Sequence, residues 1–201
     1  MKTKTILLLL ALAIPFVTAC SGVMNSSQPA RQTYMLMPLS GAPTAATADQ
    51  GPALSMTLNA VPGLDTDRIQ ALGSNAELNR YANARWPDHL PEVLTSVIQR
   101  SLVSTGLFSA VKQASRANGD SWHLQLDVEK FYGLQNAAGE TTRVVVEISG
   151  SIECNDHGEL FSLSDSVTVS TERLSTVVAA HQQGLDSVTQ QLVNDIFEAC
   201  P

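Results

Sequence analysis

Apolar residues alternate with polar ones in several segments of the chain, and this period of two predicts β-strands. In "ALSMTLNAV" the residues Leu54, Met56 and Leu58 share one face, which indicates a half-buried strand. Only the short turns "LQNAAGE" and "NDHG" separate the last three segments of this kind, so we expect those three to pair as antiparallel neighbours. The further strand segments are "LFSAVKQA", "SWHLQLDVEKFY", "TTRVVVEISGSIEC" and "ELFSLSDSVTVSTERL".

Two longer segments repeat their apolar residues with the period of an α-helix. The first runs from Asp88, the expected N-cap, to Thr105; Pro91 fits its first turn and Gly106 ends it. The second runs from about residue 176 to residue 199. We therefore expect an α+β fold, a mainly antiparallel sheet with two long helices packed on one face. The apolar positions are Leu90, Val93, Leu94, Val97, Ile98 and Val103 in the first helix and Leu185, Val188, Leu192, Ile196 and Phe197 in the second.

The segment "TYMLMP" predicts a short strand near the start of the folded part, with Tyr34 and Leu36 on one side. Methionine commonly fills irregular gaps in protein cores. We therefore expect three methionines to be buried as core filler, with a lipid-facing groove as the alternative: Met35, Met37 and Met56.

Residues 63–86 lack a period, and we interpret them as a long irregular connection with at most one helical turn. Loops of this length inside a compact domain are often functional. Asp65, Asp67 and Arg68 cluster in this segment, either as a local turn network or as polar groups that contact a partner. Trp86, at its end, is either a core anchor beside the helix start or an exposed contact aromatic.

The first residues have the pattern of a secretory signal peptide. Lys2 and Lys4 precede an apolar run over 6–17, which is too short to cross a hydrocarbon core of about 30 Å. The following "VTAC" resembles a bacterial lipobox, in which the cysteine is acylated and becomes the first residue of the mature protein. We therefore expect residues 1–19 to be removed and Cys20 to carry the lipid. An ordinary cleavage site with a cysteine nearby is the alternative.

Lipid attachment at Cys20 would hold the protein stably, because each buried methylene contributes about 0.8 kcal/mol and several acyl chains act together. By the sorting rule for such lipoproteins, Ser21 favours the outer membrane and places the mature chain at its periplasmic face. Residues 20–33 are small and polar and predict a flexible tether, whose reach for about 12 residues is roughly 20 Å. We expect residues 34–201 to form a single domain.

The chain is acidic, which bounds its partners. It has 12 Lys and Arg against 19 Asp and Glu; removing Lys2 and Lys4 with the signal peptide leaves 10 against 19, a formal charge of −9. Such a charge disfavours nucleic acid and gives no attraction to anionic headgroups. We therefore expect no nucleic-acid partner and expect the lipid, not a basic patch, to anchor the protein.

Two cysteines, Cys154 and Cys200, remain after the anchor. Cys154 shares a strand face with Val144 and its apolar neighbours, and Cys200 continues the helical stripe of Ile196, so both thiols point toward the core. Because the periplasm is oxidising, the pair favours a disulfide. Two separate buried thiols are the alternative.

The sequence contains no motif typical of an enzyme, such as G-x-S-x-G, H-E-x-x-H, a P-loop or G-x-G-x-x-G. Cys154 and His157 make at most half of a metal-ligand spacing, so we expect no metal site and no catalytic residue. His123 is expected to face solvent on its strand. We expect His89 and His181 to lie on helices without partners.

Three segments after the lipobox resemble the ABC-type transport auxiliary lipoprotein family. They have a Y-x-L-x-P strand, a strand running into L-D-x-x-R-I, and a tryptophan shortly before a helix that ends in G-x-F-x-x-V. The resemblance covers about residues 34–197. Gly63 departs from it, since a bulky residue is usual before the position of Leu64. The segments are "YMLMP", "LNAVPGLDTDRI" and "RWPDHLPEVLTSVIQRSLVSTGLFSAV".

The resemblance implies an accessory role and not catalysis. Such lipoproteins accompany ABC transporters whose substrate-binding subunits are of the mammalian-cell-entry type and which move lipids between the two membranes. It implies a docking module that forms a ring of identical subunits, contacts such a transporter subunit, and carries no cofactor apart from the lipid on Cys20. A periplasmic hydrolase, or a binding protein for a small molecule with an apolar pocket, is the alternative.

The polar groups of residues 63–86 are suited to contact and not to burial, so we expect this segment to carry the partner contacts. The candidate partner-binding residues are Asp65, Arg68, Arg85 and Trp86.

Overall fold

The computed structural model describes residues 30–39, 51–113, 122–155, 157–171 and 173–200. The expected signal peptide, the lipobox with Cys20 and most of the tether therefore lie outside the described residues. The chain divides into two units, Met1–Ala30 and Arg31–Pro201. Every helix and strand given below belongs to the second unit. No helix in the described ranges is long and apolar enough to cross a membrane.

Eight strands form one mixed sheet, and two helices pack on it. The predicted α+β fold is confirmed. The helices are α1 (Leu90–Ser104) and α2 (Leu174–Ala199). The strands are β1 (Gln32–Thr33), β2 (Ala53–Ala60), β3 (Arg68–Leu72), β4 (Leu78–Arg85), β5 (Ala110–Gln113), β6 (Trp122–Gln135), β7 (Thr141–Cys154) and β8 (His157–Thr168).

Strand β6 is the centre of the sheet. Along one edge it pairs antiparallel with β7, which in turn pairs antiparallel with β8, as the short turns predict. Its other edge is shared by β2 and β3, which both run parallel to it. Beyond these, β5 pairs with β2 on one side, and β4 and then β1 follow β3 on the other.

Between β2 and β3 the chain leaves the edge of β6 and returns to it. The Val61 N–H still donates to the Val128 carbonyl, at 3.1 Å, and a 3-10 turn over Pro62–Leu64 follows directly. Strand β6 has an irregularity at the same level, between Val128 and Lys130. This break in the sheet edge, residues 62–67, makes room for the start of α1.

The two helices bury the predicted apolar stripes against the sheet. In α1, Leu94 and Ile98 are at most 1% exposed. Helix α2 comes so close to β7 that a Cβ added at Gly184 would lie 2.9 Å from Val146 Cγ2. The prediction that Val103 and Phe197 belong to the buried stripes is wrong. Both lie in the last turns of their helices, turned away from the sheet, and are 56% and 48% exposed.

Helix α1 begins later than the sequence predicts. Its N-cap is His89, not Asp88, and Pro91 lies in its first turn. The cap uses no side chain, because the Thr66 carbonyl from the sheet break accepts the Leu90 N–H at 3.0 Å. Gly106 ends the helix as predicted, with a φ of 67° that favours glycine.

The prediction of an irregular connection over residues 63–86 is wrong. Strands β3 and β4 form an antiparallel hairpin there, closed where the Gly73 N–H donates to the Glu77 carbonyl at 2.8 Å. Of its inward residues, Ile69, Ala71 and Ala84 are buried. The alternation is weak in the sequence because two of these three buried residues are alanines and because the apolar Leu78 takes an exposed position.

The segment Tyr34–Leu39, here called the strap, is extended, but only Gln32 and Thr33 before it form a strand. The expected tether therefore ends before residue 32. Leu36 is buried and Met56 is buried in β2, as predicted. The two methionines of the strap, Met35 and Met37, are exposed, contrary to the prediction. An extended segment that lies on a surface turns alternate side chains to solvent.

The structure joins Cys154, at the end of β7, to Cys200, which follows α2, in a disulfide. Their Cα atoms lie 6.0 Å apart. The bond connects the C-terminal end of α2 to the β7–β8 hairpin. The Cys154 sulfur is thus bonded to Cys200 and is not a free thiolate ligand beside His157, its cross-strand neighbour.

We predict that Leu94→Ala lowers the free energy of unfolding by about 2–5 kcal/mol, because it leaves a cavity at a fully buried site. Urea unfolding followed by circular dichroism measures the change. The exposed Val103 on the same helix gives the control, and Val103→Ala should cost no more than about 0.5 kcal/mol. Equal losses in both variants would contradict the placement of α1.

We also predict that replacing Cys154 and Cys200 by serine lowers the free energy of unfolding by about 4 kcal/mol, since their disulfide closes a loop with a sequence separation of 46. Intact mass after alkylation, with and without reductant, tests the bond itself. Two thiols that react freely in the unreduced, denatured protein would refute it.

Candidate functional site

The candidate partner-binding residues meet where the sheet break, the end of β4 and the start of α1 come together. We call this region the junction, residues 65–68 and 85–89. Two backbone hydrogen bonds build it: the Trp86 N–H donates to the Asp67 carbonyl at 2.8 Å, and the Leu90 N–H donates to the Thr66 carbonyl at 3.0 Å. Because backbone groups hold it, the junction is a fixed platform for its charged side chains.

Three charged side chains form one ion-pair cluster on this platform. Asp67 lies 3.2 Å from Arg68 Nε and 3.8 Å from Arg85 Nη1. All three side chains remain between 28% and 42% exposed. Pairs of this kind contribute about 0–1 kcal/mol to folding. The prediction of a local turn network is therefore compatible with the use of these groups for contact.

Asp65 engages a partner that the sequence does not predict. Its Oδ1 lies 2.8 Å from Nδ1 of His89, and this hydrogen bond to the carboxylate raises the pKa of His89 above 6.5. The carboxylate of Glu92 lies nearby, with one donor atom of each of the three side chains within 4.8 Å of the others. We assign no metal to this group, because all three side chains are exposed and no buried polar group supports them.

Trp86 is a core residue and not a contact residue. It is 1% exposed, and its ring packs edge-on against Phe131 of β6 at 6.0 Å and against His181 of α2 at 5.6 Å. Of the two alternatives for Trp86, the core anchor is correct. Its assignment as a partner-binding residue is wrong, since a partner cannot reach a buried indole.

His181 is the second unexpected member of this region. It is fully buried, its Nδ1–H donates to the Val177 carbonyl at 2.9 Å, and its Nε2 has no hydrogen-bond partner among the described residues. Burial penalises the charged imidazolium and lowers the pKa of His181 to about 4. The ring is therefore neutral at the pH values at which most proteins function.

Three clefts lie near these elements, and each has polar or charged side chains in its wall. One of about 240 Å³ runs between the strap and α1, with Leu36, Val93 and Val97 beside Glu92 and Arg100. A second of about 420 Å³ lies on the other side of α1. The third, of about 190 Å³, is on the sheet face opposite the helices and includes Ser55, His123 and Glu153.

Residues 34–193 match the model of the ABC-type transport auxiliary lipoprotein component. The chain belongs to this family. The match includes the junction with Arg68 and Arg85 and most of α2, up to Val193, so the predicted family membership is confirmed. No curated protein matches the chain.

Solved structures support the fold of this family member. A protein from Xanthomonas campestris has a TM-score of 0.62 at 20% identity, covering 85% of this chain and 95% of its own. A structure described as an uncharacterized protein has the same score at 14% identity, covering 82% and 99%. The PelC dodecamer from Paraburkholderia phytofirmans is more distant, with a TM-score of 0.39 at 14% identity and coverage of 74% and 90%, and carries no argument about this chain.

Sequence reasoning thus identifies the polar residues of the junction but misses the roles of two histidines, His89 in the junction and His181 of α2 beside Trp86. His181 could have been found, because it lies four residues from both Val177 and Leu185 on the buried stripe of α2. His89 could not, because its bond to Asp65 joins residues 24 positions apart across the sheet break. His123 is exposed on its strand, as predicted.

We predict that His181 makes the fold sensitive to acid. Its folded pKa of about 4 lies below the unfolded value of 6.5, so the unfolded chain binds the extra proton first as the pH falls. The contribution is complete above pH 6.5 and is lost as the pH falls toward 4, up to about 3 kcal/mol.

Urea unfolding at several pH values between 4.5 and 6.5 measures this dependence. His181→Leu should flatten the slope of unfolding free energy against pH, whereas the exposed control His123→Gln should leave it unchanged. An unaltered slope in His181→Leu would show that other groups cause the acid sensitivity.

Proposed function

We propose that this protein is a lipid-anchored, non-catalytic docking component of an ABC-type transport system that moves lipids between the inner and outer membranes. The observation that carries the proposal is the family match over residues 34–193. The lipobox ending at Cys20 supports anchoring, and Ser21 favours the outer membrane, with the domain on the periplasmic side. The proposed partner is a transporter subunit of the mammalian-cell-entry type.

The junction supports a docking role through its rigidity and its charges. Arg68 and Arg85 share one carboxylate, Asp67, so two cations face a single anion at partly exposed positions. The pair can therefore accept a further anionic group from a partner without losing its backbone support. Charges of this kind set specificity and association rate more than they set folding stability. We infer that the junction contacts the transporter subunit or a neighbouring copy in a ring.

The alternative of a hydrolase or an apolar binding protein has less support. Small-molecule pockets are usually concave and lined mostly by apolar side chains, with few polar groups. Each of the three clefts described above combines polar and apolar walls, and none contains a nucleophile hydrogen-bonded to a base. We therefore keep docking as the single proposed function.

Co-purification of the lipoprotein from native membranes, followed by mass spectrometry, tests this function. Arg68→Ala and Arg85→Ala should reduce recovery of the transporter subunit, or of higher oligomers, while the melting temperature stays unchanged. Arg143→Ala, an exposed arginine on β7, is the matched control and should recover the partner normally. Normal recovery in both junction variants would remove the junction from the interface.

The anchor is tested separately. Cys20→Ala should leave an uncleaved precursor or release the protein from the outer-membrane fraction. A Cys20→Ala protein that is processed normally and stays with the outer membrane would refute the anchor.

A further inference from the structure

The strap is held onto both helices by side chains that bind its backbone. Gln182 of α2 accepts the Met37 N–H at 2.8 Å and donates to the Met37 carbonyl at 3.0 Å. The same amide donates to Asp186 at 2.8 Å, which fixes its orientation. On α1, the Ser101 hydroxyl accepts the Leu39 N–H at 2.9 Å. The strap is therefore fixed by specific bonds and does not depend on its outward side chains.

Those outward side chains are unusually apolar. Met35 and Met37 are 65% and 60% exposed, and Val103 of α1 is 56% exposed beside Ser104, whose hydroxyl donates to the Leu39 carbonyl. We call these three residues the strap surface. They are three of the seven large apolar side chains that the described part of the chain exposes. The bond between Ser104 and Leu39 places Val103 near the end of the strap. Exposed apolar residues on adjoining segments indicate a contact with another apolar phase or with a partner.

The bonds of Gln182 to the N–H and carbonyl of Met37 keep this methionine turned outward, and Met35, two residues earlier in the extended strap, lies on the same side. Methionine is flexible and adapts to an irregular apolar environment such as an acyl-chain boundary. The charged side chains of the adjoining cleft have a small acidic excess, because Asp88 and Glu92 lie with a single cation, Arg100. A surface of this composition suits a zwitterionic lipid interface better than an anionic one.

The position of the strap in the chain, after the tether from Cys20, favours a lipid bilayer over a protein as the partner of the strap surface. The strap follows directly on the tether from Cys20, whose reach is roughly 20 Å. The part of the domain nearest to that tether therefore spends its time close to the bilayer that holds the acyl chains. We propose that the strap surface rests in the interface of that bilayer, as a second contact beside the lipid anchor. The proposal rests on the acylation of Cys20, which belongs to the proposed function.

The test uses the full lipoprotein in zwitterionic phosphatidylethanolamine–phosphatidylcholine vesicles, after intact mass has established acylation. With Cys154 and Cys200 bridged and Cys20 acylated, an added cysteine can be labelled alone. The emission of an environment-sensitive fluorophore at Met37→Cys should shift to the blue when vesicles are added. Its intensity should fall when the vesicles contain brominated lipid. The control Leu160→Cys, 83% exposed on β8, should show neither change.

A second variant separates lipid contact from folding. With the fluorophore at Val103→Cys, the double substitution Met35→Glu and Met37→Glu should abolish the quenching by brominated lipid and leave the melting temperature unchanged. Leu160→Glu should leave the quenching intact.

Failure of the inference is distinguishable from failure of the anchor. An unacylated Cys20 refutes the anchor before any vesicle is made. An acylated protein whose label at residue 37 stays in water overturns the strap proposal alone. So does a label that is shielded only when a second copy or another protein is bound, without quenching by brominated lipid.

Discussion

The burial of Trp86 is the contact on which the arrangement of the other elements depends. Its backbone ends the β3–β4 hairpin and is bonded to Asp67 in the sheet break, while α1 starts four residues later. Its ring meets Phe131 of the central strand and His181 of α2. An aromatic side chain of this kind removes roughly 150–250 Å² from water. Trp86 thereby joins the hairpin to the central strand and to α2 through its ring, and to the start of α1 through the chain that follows it.

This arrangement explains why the junction can be rigid and polar at the same time. The apolar side of the hairpin is used by Trp86 and by small buried residues such as Ala84, so the charged side chains are left at the surface. Their ion pairs add little to folding, because each remains partly solvated. The backbone bonds of Thr66 and Asp67 hold the platform. A contact surface of this kind can change its side chains while the fold is retained.

His181 is a destabilising polar group inside the core. Within the part of the chain that the structure describes, its buried Nε2 has no hydrogen-bond partner, which costs about 1–3 kcal/mol relative to a satisfied group. The neighbouring Gln182 turns outward from the same turn of α2 and holds the strap. Helix α2 thus connects the aromatic core with the segment that leads to the tether. The disulfide at its far end attaches the same helix to the β7–β8 hairpin.

The sequence by itself determined those features that depend on local period and local chemistry. The long strands β6, β7 and β8 and the helices α1 and α2 each repeat enough apolar residues to indicate their type. Gly106 and Pro91 mark helix ends because their backbone restrictions act within one or two residues. The α+β class follows from the order of these elements.

Only the tertiary structure decided the features that depend on distant partners. The hairpin β3–β4 has short strands with alanines inward, and its pairing with β6 supplies the stability that its own pattern does not predict. The start of α1 moved to Leu90 because a carbonyl from Thr66, 24 residues earlier, satisfies its first amide. Met37 faces solvent because Gln182 of α2 binds its backbone N–H and carbonyl, which no side-chain pattern records. A sequence shows which groups can be buried, but the neighbours that bury them are fixed only when the chain has closed on itself.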